Sequence, residues 1–434
     1  MNTQFDVAIV GSGPAGVAAA YPLVKTGYKV AIVDAGPLHD PATKLLPIQS
    51  KFEIIQGLGK GGLSQLWSGV CDYYSKEELM AIGLPPAEIQ KEYKKIVNNL
   101  ASKLTTTLDH HDQLILKSAK KNHLEAQVYQ ALTFLYNSSE SVDDLKKYKN
   151  FTYIDNQLVQ TVRDQKTHVD IHSLSINTSQ PKTTRVSFVI LAAGSLNTTR
   201  ILLRTFNLFN YRSPFLTKVN YITARLHTKT LFNRNDDYKQ RLGHLVISTD
   251  KKYTKLDSFF VHLYPYNPKK IEHALAYIPL PKSIARLLLA TVGSSLVIAD
   301  IRFPASLSKN KFCVLKKTKS GDLLEIVCKE SKDEQKHQES EFRGIKNQLQ
   351  TLGLLPLKTI KGYTTSHYAG GLSFQTKPGK LSVDANGKLN QARRIYIADA
   401  STWQALPAKP PTLTIMANAA RVAKKVVSNL NALK

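Results

Sequence analysis

Three glycines and one acid near the start of the chain have the spacing of a phosphate-binding site. Gly11, Gly13 and Gly16 follow a short apolar run in "FDVAIVGSGPAGVAAAYPLVKTGYKVAIVDAG", residues 5–36. Glycines at these positions allow a tight turn, close approach of a pyrophosphate to the backbone, and close packing of the next helix. Asp34 ends a second apolar run, where a carboxylate can bind the ribose hydroxyls of an adenosine. The pattern predicts a dinucleotide site, against the alternative of an ordinary strand–turn–helix unit.

The elements that must position these residues are two buried parallel strands and the helix between them. Residues 7–10 and 29–33 have the apolar, β-branched character of strands that are buried on both faces. The helix would begin at Pro14 and Ala15, and its free N–H groups and positive dipole end would face the phosphates. Asp34 disfavours the 2′-phosphate of NADP, so FAD and NAD both remain as candidates.

Three later segments could contribute to the same site. "QGLGKGGLSQLWSGVCDYY" (56–74) gathers four glycines before Trp67, and such a loop can lie flat against a planar ligand or a phosphate. "VSFVILAAGSLNTTRILLR" (186–204) predicts a buried strand that ends at a glycine and enters a helix. "RRIYIADASTWQALPAKPPTLTIMANAARVAKKVV" (393–427) predicts a strand, an acid at Asp399, a proline-rich turn and an amphipathic helix. Each segment alone is weak, but their order is specific.

Composition sets the outer bounds of the interpretation. A chain of 434 residues exceeds one ordinary core and predicts two domains, and 42% apolar residues indicate a globular protein. Cys71, Cys313 and Cys328 are too few and too irregular for a disulfide framework or a zinc site, so we expect structural thiols and no metal. The first strand starts near Phe5, which leaves no room for a signal peptide, and no apolar run reaches the roughly 20 residues that span a bilayer. We therefore expect a cytoplasmic protein.

The positive charge of the chain is concentrated in its middle. The formal net charge is +26, yet residues 1–100 carry 9 Lys or Arg against 9 Asp or Glu, whereas residues 181–290 carry 18 against 5. A solvated basic face is the default explanation, and an anionic substrate, a lipid surface or nucleic acid is the alternative. No zinc finger or RNA-binding motif supports nucleic acid as a partner.

The motifs together resemble the glucose-methanol-choline (GMC) family of FAD-dependent oxidoreductases and its sugar-oxidising relatives. The resemblance depends on "GSGPAG", "GLGKGGLSQLW", "VILAAGSLNTTRILL", "SHYAGG" and "IYIADASTWQALPAKPPTLTIMANAA", which cover roughly a third of the chain. It implies an α/β fold with a discontinuous Rossmann-type FAD-binding domain and a second, α+β substrate domain built on an antiparallel sheet. It also implies FAD, not NAD, as the cofactor.

The resemblance implies a role for each matching position of this sequence. The residues implied to bind the cofactor are Gly11, Gly13, Pro14, Ala15 and Gly16 at the pyrophosphate, Asp34 at the ribose, Gly62 and Ser64 beside the flavin, Val159 (or Val162) at the adenine, Ala193 and Gly194 after the second motif strand, Asp399 at the ribityl and pyrophosphate end, and Pro411 and Thr412 at the pyrimidine edge of the ring. A helix N-terminus at that edge would stabilise a reduced, anionic flavin.

His367, in "SHYAGG", matches the histidine that faces the reactive nitrogen of the flavin ring, and it is the implied catalytic base. Three departures from the family accompany it. Leu66 stands where some sugar-oxidising relatives attach FAD through a histidine, so noncovalent FAD follows. Pro410 stands where the family usually has a second polar partner, His or Asn. The chain is also short for the family, which implies a trimmed substrate domain.

The motif positions divide the chain into discontinuous parts. Residues 1–100, 150–205 and 378–434 would form the FAD-binding domain, and residues 206–377 would form the substrate domain. Residues 101–149 would be a helical excursion of uncertain membership. The polar stretch "SKDEQKHQESEFRGIKNQLQTLG" (331–353) predicts an exposed helix that packs through its few apolar residues.

One stretch of the basic middle region suggests a further partner. "IPLPKSIARLLLATVGSSLVIADIRF" (278–303) contains a neutral run from Leu287 to Ala299, flanked by Lys282, Arg286 and Arg302. This run is too short to span a membrane. It predicts a core helix followed by a buried strand, or alternatively a surface segment that dips into an anionic bilayer and admits a lipid-linked substrate.

The function that follows is oxidation of an alcohol group, of a sugar that is free or attached to a carrier, by hydride transfer to noncovalent FAD with a histidine base. The alternative is a flavin-binding protein that has lost this chemistry and acts as a binding or scaffold component, which the proline at position 410 favours. The electron acceptor is left open.

Overall fold

The computed structural model describes residues 4–36, 46–231, 243–248, 258–265, 275, 280–319, 321–374 and 381–432. The helices within these ranges are α1 (Pro14–Lys25), α2 (Lys76–Ala81), α3 (Pro86–Leu100), α4 (His110–Lys121), α5 (Ser138–Leu145), α6 (Ser195–Thr205), α7 (Lys282–Val292), α8 (Lys332–Thr351) and α9 (Thr412–Asn431). Among these described helices, none has the length and apolar content to cross a bilayer.

The strands of the described residues are β1 (Phe5–Val10), β2 (Val30–Val33), β3 (Ile48–Gln49), β4 (Val70–Cys71), β5 (Leu104–Thr105), β6 (Val128–Gln130), β7 (Leu132–Phe134), β8 (Phe151–Ile154), β9 (Gln157–Asp164), β10 (Val169–Ser175), β11 (Pro181–Leu191), β12 (Ser213–Pro214), β13 (Leu216–His227), β14 (Leu245–Ser248), β15 (Phe260–Pro265), β16 (Leu296–Arg302), β17 (Ala305–Ser306), β18 (Lys311–Thr318), β19 (Gly321–Cys328), β20 (Leu354–Ala369), β21 (Ser373–Phe374), β22 (Ser382–Val383), β23 (Ile395–Ile397) and β24 (Ala405–Leu406).

A seven-stranded sheet is built from both ends of the chain. Its order is β8-β2-β1-β11-β10-β9, and β23 also pairs with β11. The pairs β8–β2, β2–β1, β1–β11 and β11–β23 are parallel, whereas β9 and β10 are antiparallel additions. The first motif strand is thus central, and its residues 7–10 are buried, as their apolar, β-branched composition requires. Helix α9 packs along α1 on one face of this sheet, so the last described helix covers the first.

A six-stranded antiparallel sheet, with the order β20-β13-β16-β15-β14-β6, forms the second layer. Along β13 and β16 the residues alternate between two faces, as the period of a strand dictates. Val219, Tyr221, Ala299 and Ile301 contribute to an apolar core that α4 and α8 cover. The opposite face carries polar side chains at Lys218, Asn220, Asp300 and Arg302, and it is the face that turns toward the loop before α9. The predicted α/β class with an antiparallel second sheet is confirmed.

The segment 101–149 is not only helical. It contains α4 and α5, but also β5, β6 and β7. Strand β6 joins the antiparallel sheet through β14, and β7 pairs with β4 and β5 in a small separate sheet. Each of these strands is only two or three residues long, so the segment has no stretch of alternation that would reveal them. They are held by pairing with distant strands rather than by local preference.

Two other stretches in which the sequence predicted helices, 331–353 and 278–303, do form helices. The stretch 331–353 forms α8, which begins at a capping box of Ser331 and Glu334 and packs through Ile345 and Leu349. In the stretch 278–303, whose first two residues lie outside the described residues, α7 is followed by the buried strand β16. Helix α7, however, buries only Ala285 and Leu289. The expected domain boundary at residue 378 also lies outside the described residues.

Candidate active site

A cleft of about 350 Å³ opens at the carboxyl ends of β1, β2 and β11 and brings the sequence-predicted residues together. This is where parallel strands of a doubly wound sheet generally present a ligand site. The predicted residues that line it are Gly11, Gly13, Pro14, Ala15, Asp34, Gly62, Ser64, Val159, Ala193, Gly194, His367, Asp399, Pro411 and Thr412. Gly16 does not line the cleft, and neither does Val162, which is buried in the core beside Val159.

Two glycines of the first turn have different roles: Gly16 is needed for packing, and Gly13 leaves space for a ligand. A Cβ atom on Gly16 would lie 1.9 Å from the Gly11 carbonyl oxygen, so Gly16 is required for the contact of helix and turn. A Cβ atom on Gly13 would meet no protein atom within 4 Å, because that position faces the cleft. Gly13 also precedes α1 without any side-chain cap. The free N–H groups of this turn fit the pyrophosphate of a dinucleotide.

Asp34 holds the turns around the cleft through both carboxylate oxygens. One accepts a hydrogen bond from the Ser12 backbone N–H at 2.6 Å, and the other accepts from Gly36 N–H at 2.8 Å. Burial raises the pKa of the Asp34 carboxyl, and these hydrogen bonds oppose that rise. Each oxygen has a second lone-pair direction, so the carboxylate can still accept from a ribose hydroxyl.

Ser12 is a site residue that the sequence analysis missed. Its hydroxyl oxygen accepts a hydrogen bond from Gly61 N–H at 2.9 Å, while its own N–H is bound to Asp34. Ser12 therefore connects the first glycine turn to the loop of residues 57–62. A small hydroxyl residue between the two glycines was the only signal in the sequence, and it is shared by many turns.

The second glycine loop packs directly on the first. Gly61 and Gly62 have φ values of 92° and 55°, in the left-handed region that glycine adopts readily. A Cβ atom on Gly62 would lie 3.2 Å from the Gly13 Cα, which is tight. The Ser64 hydroxyl donates to the Gly61 carbonyl at 2.7 Å and accepts from Ser138 N–H at 3.1 Å. Ser64 thus fixes the shape of the loop that lines the cleft.

Asp399 connects the turn after β11 to the C-terminal segment. Its Oδ2 accepts hydrogen bonds from Gly194 N–H at 3.0 Å and the Thr198 hydroxyl at 2.5 Å, and its Oδ1 accepts from Ser401 N–H at 3.0 Å. Burial raises the pKa of Asp399, against the lowering by these donors. A Cβ atom on Gly194 would meet nothing within 4 Å, so this glycine also leaves space in the cleft.

His367 lies in a bulge of β20 at one end of the cleft. Thr217 pairs with Tyr368 and Val219 pairs with Tyr363, so residues 364–367 stand opposite the single residue Lys218. Within the described residues, the buried Nδ1 of His367 has no hydrogen-bond partner. Burial, and then the positive charges of Lys218 and Arg302, hold the pKa of His367 well below its usual range. These surroundings favour the neutral imidazole of His367.

Lys218 is the second residue that the sequence analysis missed. Its side chain is fully buried, and its Nζ donates to the carbonyl oxygens of Ala408 at 3.1 Å and Lys409 at 2.6 Å. Burial, followed by the charge of Arg302, lowers the pKa of Lys218 well below 10.5. The only sequence signal was a lysine in the stretch 216–227, where polar and apolar residues are equally frequent. Its acceptors lie far along the chain and could not be inferred.

The segment before α9 presents backbone rather than a polar side chain to the cleft. Pro411 and Thr412 line the cleft, and Pro411 provides no side-chain cap for α9. Pro410 has no polar group, as expected. Polar side chains from outside this segment bind its backbone instead: Lys218 donates to the carbonyls of Ala408 and Lys409, and the Tyr74 hydroxyl also donates to the Lys409 carbonyl. One polar partner of this loop therefore comes from β13.

The thiols and the metal-ligand residues give no sign of a second kind of chemistry. Cys71 and Cys313 are buried and Cys328 is half-buried, all three as free thiols, and burial raises the pKa of each. Among the described residues, no three His, Cys, Asp or Glu side chains are arranged to hold a metal ion.

Comparisons with known proteins agree with this geometry. The model of the pyridine nucleotide-disulphide oxidoreductase family matches residues 5–200. No curated protein matches the chain by sequence. A solved structure, the pyridoxine 4-oxidase from Mesorbium loti, superposes on 97% of this chain and 99% of its own, with a TM-score of 0.65 and 13% sequence identity. These likenesses confirm the predicted fold class and indicate FAD as the cofactor. The chain therefore has the fold of an FAD-binding oxidoreductase.

Proposed function

We propose that the protein oxidises an alcohol group by hydride transfer to noncovalently bound FAD, with His367 as the general base. The observation that carries this proposal is a half-buried histidine with a lowered pKa at one end of a cleft whose other walls are the glycine turns and helix N-termini of a dinucleotide site. When bound, FAD would supply the acceptor of the hydride.

The residues that would hold FAD are those that leave space or free backbone donors in the cleft. Gly13 and Gly194 keep the cleft open, because a side chain at either position would enter it. Asp34 retains acceptor capacity for the ribose hydroxyls. The N-termini of α1 and α9 both lack side-chain caps, so their N–H groups can stabilise negative charge on a phosphate or on the ring.

Oxidation of an alcohol removes a hydride from carbon and a proton from oxygen. The two electrons leave with the hydride, so the hydroxyl proton must pass to a base within hydrogen-bonding distance. A ring nitrogen of His367 would accept that proton, which requires the imidazole to be neutral at the start. Burial and the charges of Lys218 and Arg302 favour the neutral ring. Release of the proton from His367 is favoured by the same charges.

The proposed substrate is the alcohol group of a sugar, free or attached to a carrier. The structurally similar enzyme is named for oxidation of pyridoxine, so pyridoxine belongs in the panel of test substrates. The mouth of the cleft carries the apolar Leu66, which is 67% exposed. Because position 66 offers no histidine for attachment, FAD should be released intact when the protein is denatured with acid.

The test is anaerobic stopped-flow reduction of the bound flavin by a panel of sugars, pyridoxine and simple alcohols. His367→Ala should keep its flavin and lose roughly 10² to 10⁴ in the rate of flavin reduction, the usual contribution of a positioned base. His172→Ala, a replacement on β10 away from the cleft, is the matched control and should react like the wild type. Reduction of the His367→Ala flavin within a few-fold of the wild-type rate would contradict the role of His367.

A flavin-binding protein without alcohol oxidation is the second candidate, and the proline at position 410 favours it. In that case the wild type would be yellow, yet no alcohol of the panel would bleach it. A reductant such as dithionite would still reduce the flavin, which separates loss of the reaction from loss of the cofactor.

A further inference from the structure

The cleft extends beyond the pyrophosphate turn along one face of helix α6. Asn197, Arg200 and Arg204 all line it, and their spacing of i, i+3 and i+7 places them on the same side of the helix. Helix α6 packs on β9, and residues 157–159 at the start of β9 line the cleft as well. This part of the cleft therefore has walls from both α6 and β9.

The walls from α6 and β9 adjoin the residue that would bind the ribose. The Gln157 backbone N–H donates to the Asp34 carbonyl oxygen at 2.9 Å, so the start of β9 is fixed beside Asp34. The Asp34 carboxylate retains acceptor capacity for ribose hydroxyls. In FAD the adenine is attached to this ribose. The adenine of bound FAD would therefore lie against α6 and β9.

Arg200 is a buried cation with few partners. It is 1% exposed, and its Nη2 donates to the Pro47 carbonyl at 2.8 Å, whereas its Nε and Nη1 have no hydrogen-bond partner among the described residues. Its Nη1 lies 3.9 Å from Asp322 Oδ1, but that carboxylate already accepts from Nε and Nη2 of Arg204. Burial lowers the pKa of Arg200 to about 10. A guanidinium in these surroundings requires further acceptors.

Two amide oxygens of the same cleft lack donors. Gln56 Oε1 and Asn197 Oδ1 are buried without a hydrogen-bond partner in the described ranges, and both residues line the cleft. The orientation of the Gln56 amide is fixed, because its Nε2 donates to the Leu46 carbonyl at 2.9 Å. Gln56 and Arg200 thus bind the carbonyls of two consecutive residues, Leu46 and Pro47. We call Gln56, Asn197 and Arg200 the polar wall.

We propose that the polar wall binds the adenine of FAD. Arg200 would donate to a ring nitrogen, and the amide oxygens of Gln56 and Asn197 would accept from the N6 amino group. Adenine places an acceptor nitrogen next to this amino donor on both of its edges, so the polar wall is complementary to it. The unpartnered atoms lie behind the surface of the cleft, so contact with the base requires changes of side-chain rotamer, which are common when a complex forms. The proposal rests on FAD as the cofactor and is independent of alcohol oxidation.

A phosphate or another anion fits the polar wall less well than the base does. Arg200 alone would attract an anion, but the amide oxygens of Gln56 and Asn197 are acceptors and would face the oxygens of that anion. The pyrophosphate also has a site of its own at the free N–H groups of the first glycine turn. Only a group with both donors and acceptors satisfies all three side chains.

The test compares FAD with its hypoxanthine analogue, in which a carbonyl oxygen replaces the N6 amino group. Apoprotein is prepared from the full chain, and each dinucleotide is titrated by flavin fluorescence. We expect the wild type to bind FAD about tenfold more tightly or better, because the carbonyl oxygen of the analogue would face the fixed Oε1 of Gln56 and leave it without a donor. Gln56→Met should narrow this preference to within a few-fold.

Arg200→Met tests the cation, and Arg225→Met is its matched control. Arg225 is also fully buried and donates to one carbonyl, that of Leu354, and burial lowers its pKa to about 10, but it does not line the cleft. Arg200→Met should weaken the binding of FAD about tenfold or more, because a ring nitrogen of the adenine loses its donor. Arg225→Met should bind FAD like the wild type. Circular dichroism of each apoprotein checks that the fold is intact.

The opposite results would overturn the proposal. Equal affinities of the wild type for the two dinucleotides would show that the polar wall does not contact the amino group. If Arg200→Met binds FAD as tightly as Arg225→Met does, Arg200 has its partner in the protein, outside the described residues. If Arg200→Met weakens both dinucleotides while Gln56→Met keeps the full preference for adenine, Arg200 contacts another part of FAD. If the wild type binds neither dinucleotide, the cofactor assignment fails, and with it the proposal; a flavin that no alcohol reduces would instead contradict only the proposed reaction.

Discussion

The side chains of His367 and Lys218 are two nitrogen bases whose surroundings disfavour their charged forms. They meet where the four-residue bulge of β20 faces one residue of β13. In both cases burial is the largest cause of the lowered pKa, and Arg302 adds to it. The charge of Lys218 also lowers the pKa of His367, because a nearby positive charge disfavours a second one. A base in these surroundings favours its deprotonated form, so it can accept a proton from the substrate and then release it readily.

The pH dependence of flavin reduction should report this lowered pKa. Only the neutral imidazole can accept the hydroxyl proton, so activity is lost as the pH falls through the pKa of folded His367. Because that pKa lies well below 6.5, the rate of anaerobic flavin reduction at saturating substrate should be constant from pH 8 to 6.5 and fall only at lower pH. An acidic limb centred at or above pH 6.5 would contradict the lowered pKa of His367.

Substitutions of the first glycine turn should separate flavin binding from folding. Gly13→Val should leave the melting temperature nearly unchanged, because its Cβ meets no protein atom, but it should abolish flavin binding by filling the cleft. Gly16→Ala should lower the melting temperature, because its Cβ would collide with the Gly11 carbonyl. Flavin absorbance per protein and thermal melting by circular dichroism measure the two effects. A fully yellow Gly13→Val protein would show that this turn is not the phosphate site.

At the scale of elements, the sequence predicted best where a motif is local. The first strand, helix α1 and the second strand follow from glycines and apolar runs within one short stretch, and α8 follows from its charge pattern and its few apolar residues. The short strands β5, β6 and β7 were not predicted, because their pairing partners are distant. The role of Lys218 was hidden for the same reason, since Ala408 and Lys409 follow it by about 190 residues.

Lys218 connects β13 to the loop that begins α9, so its loss should loosen that loop. Lys218→Met removes a donor from the carbonyls of Ala408 and Lys409, of which the Lys409 carbonyl still accepts from the Tyr74 hydroxyl at 3.3 Å. A buried carbonyl that loses its hydrogen bond costs about 1–3 kcal/mol. We expect a lower melting temperature and weaker FAD binding, measured by thermal melting and by fluorescence titration of the apoprotein. The acidic limb of flavin reduction should also move to higher pH, because His367 loses a positive neighbour. An unchanged limb would show that Lys218 acts on the loop alone.

At the scale of the whole molecule, the buried histidines connect stability to pH. Burial lowers the pKa of His262 to about 3, and the pKa of His244 is lowered as well. Below pH 6.5 the unfolded chain takes up protons at these positions while the folded protein does not, so stability falls with falling pH. Asp399, a buried carboxyl with a raised pKa, acts in the opposite direction, because the folded protein takes up its proton at a higher pH than the unfolded chain does.

Comparison of the wild type with His262→Gln isolates the contribution of His262 to the pH dependence of stability. In the wild type, position 262 binds a proton in the unfolded chain but not in the folded protein between pH 6 and pH 4. The variant lacks this proton uptake, so its free energy of unfolding loses about 1.4 kcal/mol less per pH unit over that range. Its free energy of unfolding should therefore fall less steeply over this range, as measured by urea denaturation at several pH values. The glutamine amide can still donate to the Gly243 carbonyl, which now accepts from His262. Parallel pH profiles of the two proteins would contradict a neutral His262.

Because one sheet combines strands from both ends of the chain, it cannot be completed before β23 has been synthesised. Strand β1 is made first, but β23 and helix α9, which complete its sheet and the cleft, are made only after the antiparallel sheet. Chains fold from the N-terminus as they emerge, and contacts between distant segments form late. In the growing chain, the glycine turn therefore lacks the residues that complete the cleft until residues near 412 have left the ribosome. Capture of FAD should thus be a late step, and the supply of FAD would then govern how much of the newly made protein matures.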